Sequence, residues 1–237
     1  MSINQQDEFG NTQLMNAVIQ CDVTLVQQLL DQGANPNIQD FQINYPIHTA
    51  IARNCSDVVL ALLKGGANPN TLNYDFIPPT NLALYLLSSL TSASEAENVI
   101  LIIKYLADAK ANFNAIDPNG YCPIHLAVLL QVSAIVKILL QGGSDPNLED
   151  KDGSNPLVYA VYQNNEEILK MLIEAGSLNV ECIFTKTPLQ YAIFYGLNNL
   201  VVLLQNLETS SVRRIPDMTN CNRVTKMKGK AMSYILN

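Results

Sequence analysis

The segment Gly33-Ala34-Asn35-Pro36-Asn37 recurs as Gly66-Ala67-Asn68-Pro69-Asn70, Lys110-Ala111-Asn112-Phe113-Asn114, Gly143-Ser144-Asp145-Pro146-Asn147 and Gly176-Ser177-Leu178-Asn179-Val180, at offsets of 33, 44, 33 and 33 residues. A second landmark, an alanine early in each unit, falls at Ala17, Ala50, Ala83, Ala127, Ala160 and Ala192, at offsets of 33, 33, 44, 33 and 32. Two independent landmarks with one period restrict the chain to an array of similar units, each packed mainly on its neighbours in sequence. Within a unit the pattern reads as two short helices. In the fourth, Pro123 to Leu130 opens on a proline suited to a first helical position, and Ala134 to Gln141 carries Ile135, Ile138 and Leu139 at helical spacing before Gly142-Gly143 stops it. Helices below about 12 residues are marginal in water, so these units gain stability only by stacking their apolar faces.

Tyr45-Pro46-Ile47-His48-Thr49-Ala50 and Cys122-Pro123-Ile124-His125-Leu126-Ala127 resemble the T-P-L-H-x-A signature of ankyrin repeats, and Thr187-Pro188-Leu189 keeps its first three residues. The double-leucine helix ends Leu29-Leu30, Leu62-Leu63 and Leu139-Leu140 and the G-A-x-x-N loops agree with it. The resemblance implies an all-α repeat solenoid of stacked helix-turn-helix units with hairpin-like loops. About six repeats are expected over residues 1–208, at approximately 7–39, 40–72, 73–116, 117–149, 150–181 and 182–208, followed by a basic extension over 209–237. The first unit, Thr12-Gln13-Leu14-Met15-Asn16-Ala17, lacks the Pro and His, and the sixth lacks the closing glycine loop, as terminal capping repeats do. The third carries 11 extra residues, placed near 86–98, which predicts longer helices or a protruding inter-helix loop.

Composition narrows the functional classes. With 48% apolar residues and a net charge of −7 over 237 residues, the chain is expected to fold, and no run approaches the length of a membrane span. The five cysteines, Cys21, Cys55, Cys122, Cys182 and Cys221, are odd in number and form no CxxC pair, which predicts reduced thiols in a reducing compartment. Residues 1–10 are polar and acidic, without a secretory signal's basic start and apolar run, so a cytoplasmic location is expected. Residues 1–208 hold 8 basic and 20 acidic residues, whereas 209–237 hold 6 and 1. An acidic body disfavours nucleic acid, and one basic stretch without a second anchor is poor support for membrane contact. The tail has three readings: a cap helix, with Val224, Met227, Ala231 and Ile235 on one face, an unstructured sorting signal, or a contact with an anionic surface.

Chemistry has little to stand on. The chain has two histidines, His48 and His125, at one signature position, where the resemblance implies that they tie neighbouring loops and helices together. Cys122 lies near His125 but occupies the signature threonine position, and no P-loop, dinucleotide fingerprint or metal spacing occurs. The chain is therefore read as a non-catalytic protein–protein interaction module that uses no cofactor or metal and acts as a monomer. The alternative is an enzyme or enzyme regulator with its chemistry in the insertion or the C-terminal extension.

The resemblance implies a concave contact surface made of loop tips and the exposed side of each first helix. Counted from the shared alanine, the residues for partner binding are Phe9, Phe41, Tyr74 and Phe184 at tips, Arg53, Tyr85, Tyr162, Phe194 and Tyr195 on helices, and Tyr121 from a preceding loop. Aromatic residues and Arg are enriched at interface hot spots, so the partner patch should offer apolar and some basic groups. The resemblance also implies enzymatic hydroxylation of loop asparagines, at Asn37, Asn70, Asn114 and Asn147. With 26 asparagines, the chain is similar in composition to ankyrin proteins that intracellular bacterial pathogens inject into host cells, which would place it in host cytosol; an ordinary cytosolic adaptor is the other reading.

Overall fold

The computed structural model describes residues 2–177 and 187–211. Among these residues it contains twelve α-helices and no strand: α1 Gln13–Ile19, α2 Val23–Asp31, α3 Pro46–Ala52, α4 Ser56–Lys64, α5 Pro79–Ser89, α6 Ala93–Asp108, α7 Pro123–Leu129, α8 Ser133–Gln141, α9 Pro156–Tyr162, α10 Glu166–Glu174, α11 Pro188–Phe194 and α12 Asn198–Ser211. Each odd helix packs on the even helix that follows it and on the next odd helix, and the even helices stack likewise. Two rows result, with the core between them, running from Leu14 and Val26 to Leu200 and Leu204. None of these helices is long and apolar enough to cross a membrane.

Local chemistry explains why every unit starts its helices at the same point. Five odd helices begin on a proline, whose fixed φ suits the first helical position. The first unit has no proline but has Thr12, whose side chain accepts from the Met15 N–H and supplies the cap. Gly66 follows α4 at φ 88°, where a side chain would be strained, and so ends the unit.

The 11 extra residues of the third unit are helix. α5 has 11 residues where the other odd helices have 7, and α6 has 16 where α2, α4, α8 and α10 have 9. The extension is held by partly buried Leu86, Leu87 and Leu90, and by Asn54, whose Nδ2 donates to the Glu95 carbonyl at 2.9 Å.

The loops are laced together by a ladder of asparagines. Asn37 Oδ1 accepts the Asn68 N–H at 2.8 Å while its Nδ2 donates to the Gly66 carbonyl at 2.9 Å. Asn70 accepts the Asn112 N–H at 2.7 Å, Asn114 the Asp145 N–H at 2.9 Å, and Asn4 the Asn35 N–H at 2.8 Å. The rungs from Asn37, Asn70 and Asn114 tie one unit to the next and that from Asn4 ties the preceding segment to the first unit, satisfying loop backbone groups outside the helices.

The signature histidines also bridge units. His48 is 2% exposed; its Nδ1 accepts from the Tyr45 N–H at 3.4 Å and its Nε2 donates to the Thr71 carbonyl at 3.2 Å. His125 pairs with the Cys122 thiol at 2.8 Å and donates to the Ser154 carbonyl at 3.1 Å. In the third unit Asn81 takes over this place: its Nδ2 donates to the Tyr121 carbonyl at 2.9 Å and to Asp117 at 3.3 Å. Asn81→Ala should cost about 2 kcal/mol, because it removes two hydrogen bonds that join the third unit to the fourth, leaving Asp117 with the Tyr85 hydroxyl and the Tyr121 carbonyl with the Asp117 N–H. An unchanged urea midpoint would show the bridge to be dispensable.

One expectation fails. Cys21 and Cys55 are joined by a disulfide, with Cα atoms 6.1 Å apart, so the five cysteines are not all reduced. Their separation of 34 residues is one period plus one, which puts them in the inter-helix turns of successive units, and stacking brings those turns together. Cys182 and Cys221 lie outside the described residues.

Candidate interaction surface

Each of the five loop tips among the described residues is built on one carboxylate or amide. Asp7 Oδ1 accepts the N–H groups of Phe9 and Asn11, Asp40 those of Gln42 and Asn44, Asp117 those of Asn119 and Tyr121, and Asp150 those of Asp152 and Ser154, all at 2.8–2.9 Å. Asn73 Oδ1 takes the Ile77 N–H at 2.8 Å. In all five tips the backbone N–H three residues on closes a turn onto the carbonyl of the same Asp or Asn, at 2.9–3.1 Å. A side chain that holds its own loop in this way leaves the tip residues pointing outward.

Those outward residues are aromatic in the first three units. Phe9, Phe41 and Tyr74 are 65%, 69% and 67% exposed, and Phe41 N–H bonds the Phe9 carbonyl at 3.2 Å, tying the first two tips together. A Cβ on Gly10 would come within 2.6 Å of the Phe41 nitrogen, so glycine is needed for that approach. The fourth and fifth tips are polar, and the Lys151 ammonium caps the Pro118 carbonyl.

The odd row presents a second cluster. Tyr195 stands edge-on to Tyr162 at 6.5 Å and to Phe194 at 5.1 Å between centroids, and stacks on Tyr191 at 6.3 Å; Tyr162, Phe194 and Tyr195 are exposed. Arg53, at the end of α3, lies in a hollow of about 300 Å³ with Asn44, His48, Thr49, Ala52, Asn73 and Leu82, which joins the base of the loops to the exposed face of the odd row.

The remaining sequence-derived positions divide. Tyr85 is half-buried, and its hydroxyl donates to Asp117 and accepts from Asn119 at 3.2 Å; burial first and the carboxylate second push its pKa up. Tyr121 is half-buried beside His125, at 6.3 Å between centroids. Phe184 lies outside the described residues, as do residues 212–237, most of the basic extension. Asn37, Asn70, Asn114 and Asn147 are rungs of the ladder.

Sequence reasoning passed over Ile43 and Phe76, both exposed at tips, and the Asp/Asn turn-formers. The signal was present: Asp7, Asp40, Asn73, Asp117 and Asp150 recur at 33, 33, 44 and 33 residues.

The Cys122–His125 pair is in contact but fully buried, and burial pushes the thiol up to about 11 and the imidazole down. Both partners are neutral, so no thiolate is formed and no substrate reaches the sulfur. No cluster of metal-ligating side chains occurs among the described residues.

The family profile described as Ankyrin repeats (3 copies) matches residues 1–73 and 131–213. The crystal structure of EF0377, an ankyrin repeat protein, superposes with a TM-score of 0.66 at 24% identity, covering 81% of this chain and 96% of that one. A stretch of 49 residues is 39% identical to the human transient receptor potential cation channel subfamily A member 1; it is 21% of this chain, which spans 4% of that channel's length.

Proposed function

We propose, from the premise that the chain belongs to the ankyrin-repeat family, that it is a non-catalytic protein–protein interaction module holding a partner against its loop tips and the exposed face of the odd helices. The exposed aromatics carry this reading. Rings that are more than half exposed, such as Phe41, Tyr74 and Tyr162, cost free energy in water and yet sit on a scaffold whose loops and helices are fixed by side-chain bridges. Large rigid contact residues presented this way form interface hot spots.

Within this reading the partner is a host-cell protein, a setting supported by the 26 asparagines alone, and eukaryotic cytosol is the source in which to seek it. A pull-down from that cytosol, quantified by mass spectrometry, compares the wild type with a folded Phe41→Ala, Tyr74→Ala, Tyr162→Ala variant. One protein should bind the variant about thirtyfold more weakly, as expected for three interface truncations of about 0.7 kcal/mol each. Equal retention of every captured protein would sink the assignment of this face.

A further inference from the structure

Among the described residues, the second and third loop tips break a local rule that the first, fourth and fifth obey. The turn-closing residue lies in the left-handed region at every tip, and it is Gly10, Gly120 and Gly153 in the first, fourth and fifth, at φ 83°, 90° and 73°. In the second and third it is Ile43, at φ 61°, and Phe76, at φ 58°. A β-branched or bulky residue is strained there, and glycine would fit without strain. Neither gains burial in return, since Ile43 is 43% and Phe76 68% exposed. Strain kept together with exposed apolar surface marks a contact made by something else.

The surrounding charge says what that contact is. Asp7, Glu8, Asp40 and Asp75 lie at the same tips, and no Lys or Arg precedes Arg53 in the sequence. His48, beneath these tips, is held neutral by burial. Adjacent helices of a row pack about 8–10 Å apart, so three tips span about 20 Å, the length of about six extended residues.

We infer that the tips of the first three units are a docking ridge for an extended segment of a partner protein in which apolar residues alternate with Lys or Arg. The apolar side chains seat among Phe41, Ile43, Tyr74 and Phe76, and the basic ones face the tip carboxylates and the ring faces. The inference rests on the protein-binding reading above and narrows it to one part of the surface.

A phage-displayed library of random peptides of about 12 residues, panned on the intact chain, supplies the probe. Enriched peptides should alternate apolar and basic residues, and should weaken at least tenfold when salt is raised from about 50 to about 300 mM. The Ile43→Gly, Phe76→Gly double variant should lose binding at least tenfold while unfolding at a higher urea concentration than the wild type, because the strain is gone. Acidic or uncharged peptides, or affinities unchanged in the double variant, overturn the ridge. Peptides indifferent to that variant but lost in Tyr162→Ala, Phe194→Ala place binding on the odd helices and leave the broader reading standing. Failure to enrich any peptide sensitive to either variant overturns both.

Discussion

Reduction of the Cys21–Cys55 disulfide should destabilise the first two units by about 4 kcal/mol. That is the loop-closure entropy which a crosslink across 34 residues removes from the unfolded chain. Both cysteines are half-buried, so a small reductant can reach them. In a linear stack, stability passes only between neighbours, and the loss should be greatest in α1 to α4 and least in α9 to α12. Hydrogen exchange resolved by helix, with and without dithiothreitol, reads this gradient directly, where one bulk midpoint would average it. The Cys21→Ser, Cys55→Ser variant should match the reduced protein and no longer respond to reductant. Equal protection of α1 to α4 in both states would show that stacking alone holds these turns.

The crosslink illustrates why part of the fold is illegible in sequence. Cysteine spacing is informative when ligands are local, as in zinc sites, but a separation of 34 residues acquires meaning only once stacking superposes successive turns. The helices themselves were legible, since the periodicity, the prolines and the glycine stops act within a few residues. The fourth unit, expected at Pro123 to Leu130 and Ala134 to Gln141, forms at Pro123–Leu129 and Ser133–Gln141. The third unit's extra residues lengthen its helices, one of the two outcomes foreseen.

The surface was less legible, for a physical reason. Counting from the shared alanine locates a tip but not the conformation of each residue in it. Phe9, Phe41 and Tyr74 were found by that count, whereas Ile43 and Phe76 became notable only through their positive φ. Likewise, Tyr85 is an aromatic at a contact position in sequence, but its hydroxyl bond to Asp117 gives it a second task inside the stack.

Acid should destabilise the fold well before its carboxylates titrate. Burial lowers the pKa of His48 from 6.5 to about 4, so between those values the unfolded chain binds a proton that the folded chain excludes. The stability this represents is fully present above about pH 6.5 and is lost as pH falls towards 4, amounting to about 3 kcal/mol. His125, which is fully buried, shifts the same way for the same cause and adds to the loss. Ordinary carboxylates titrate near or below about pH 4.3, so a decline that begins above pH 5 belongs to the two histidines. A protonated His48 could no longer accept the Tyr45 N–H, and two donors would face each other at the start of α3. The urea midpoint should therefore drop steadily from pH 7 to pH 5, and a His48→Gln variant, using the residue that Gln190 supplies at the same place in the sixth unit, should flatten that slope. A wild-type midpoint constant over this range would mean that the imidazoles remain protonatable in the fold. The same charging would strain the hollow that His48 shares with Arg53 and Asn73, so acid should loosen the second and third units and the tips they carry, together with the fourth and fifth units that His125 joins, more than the first.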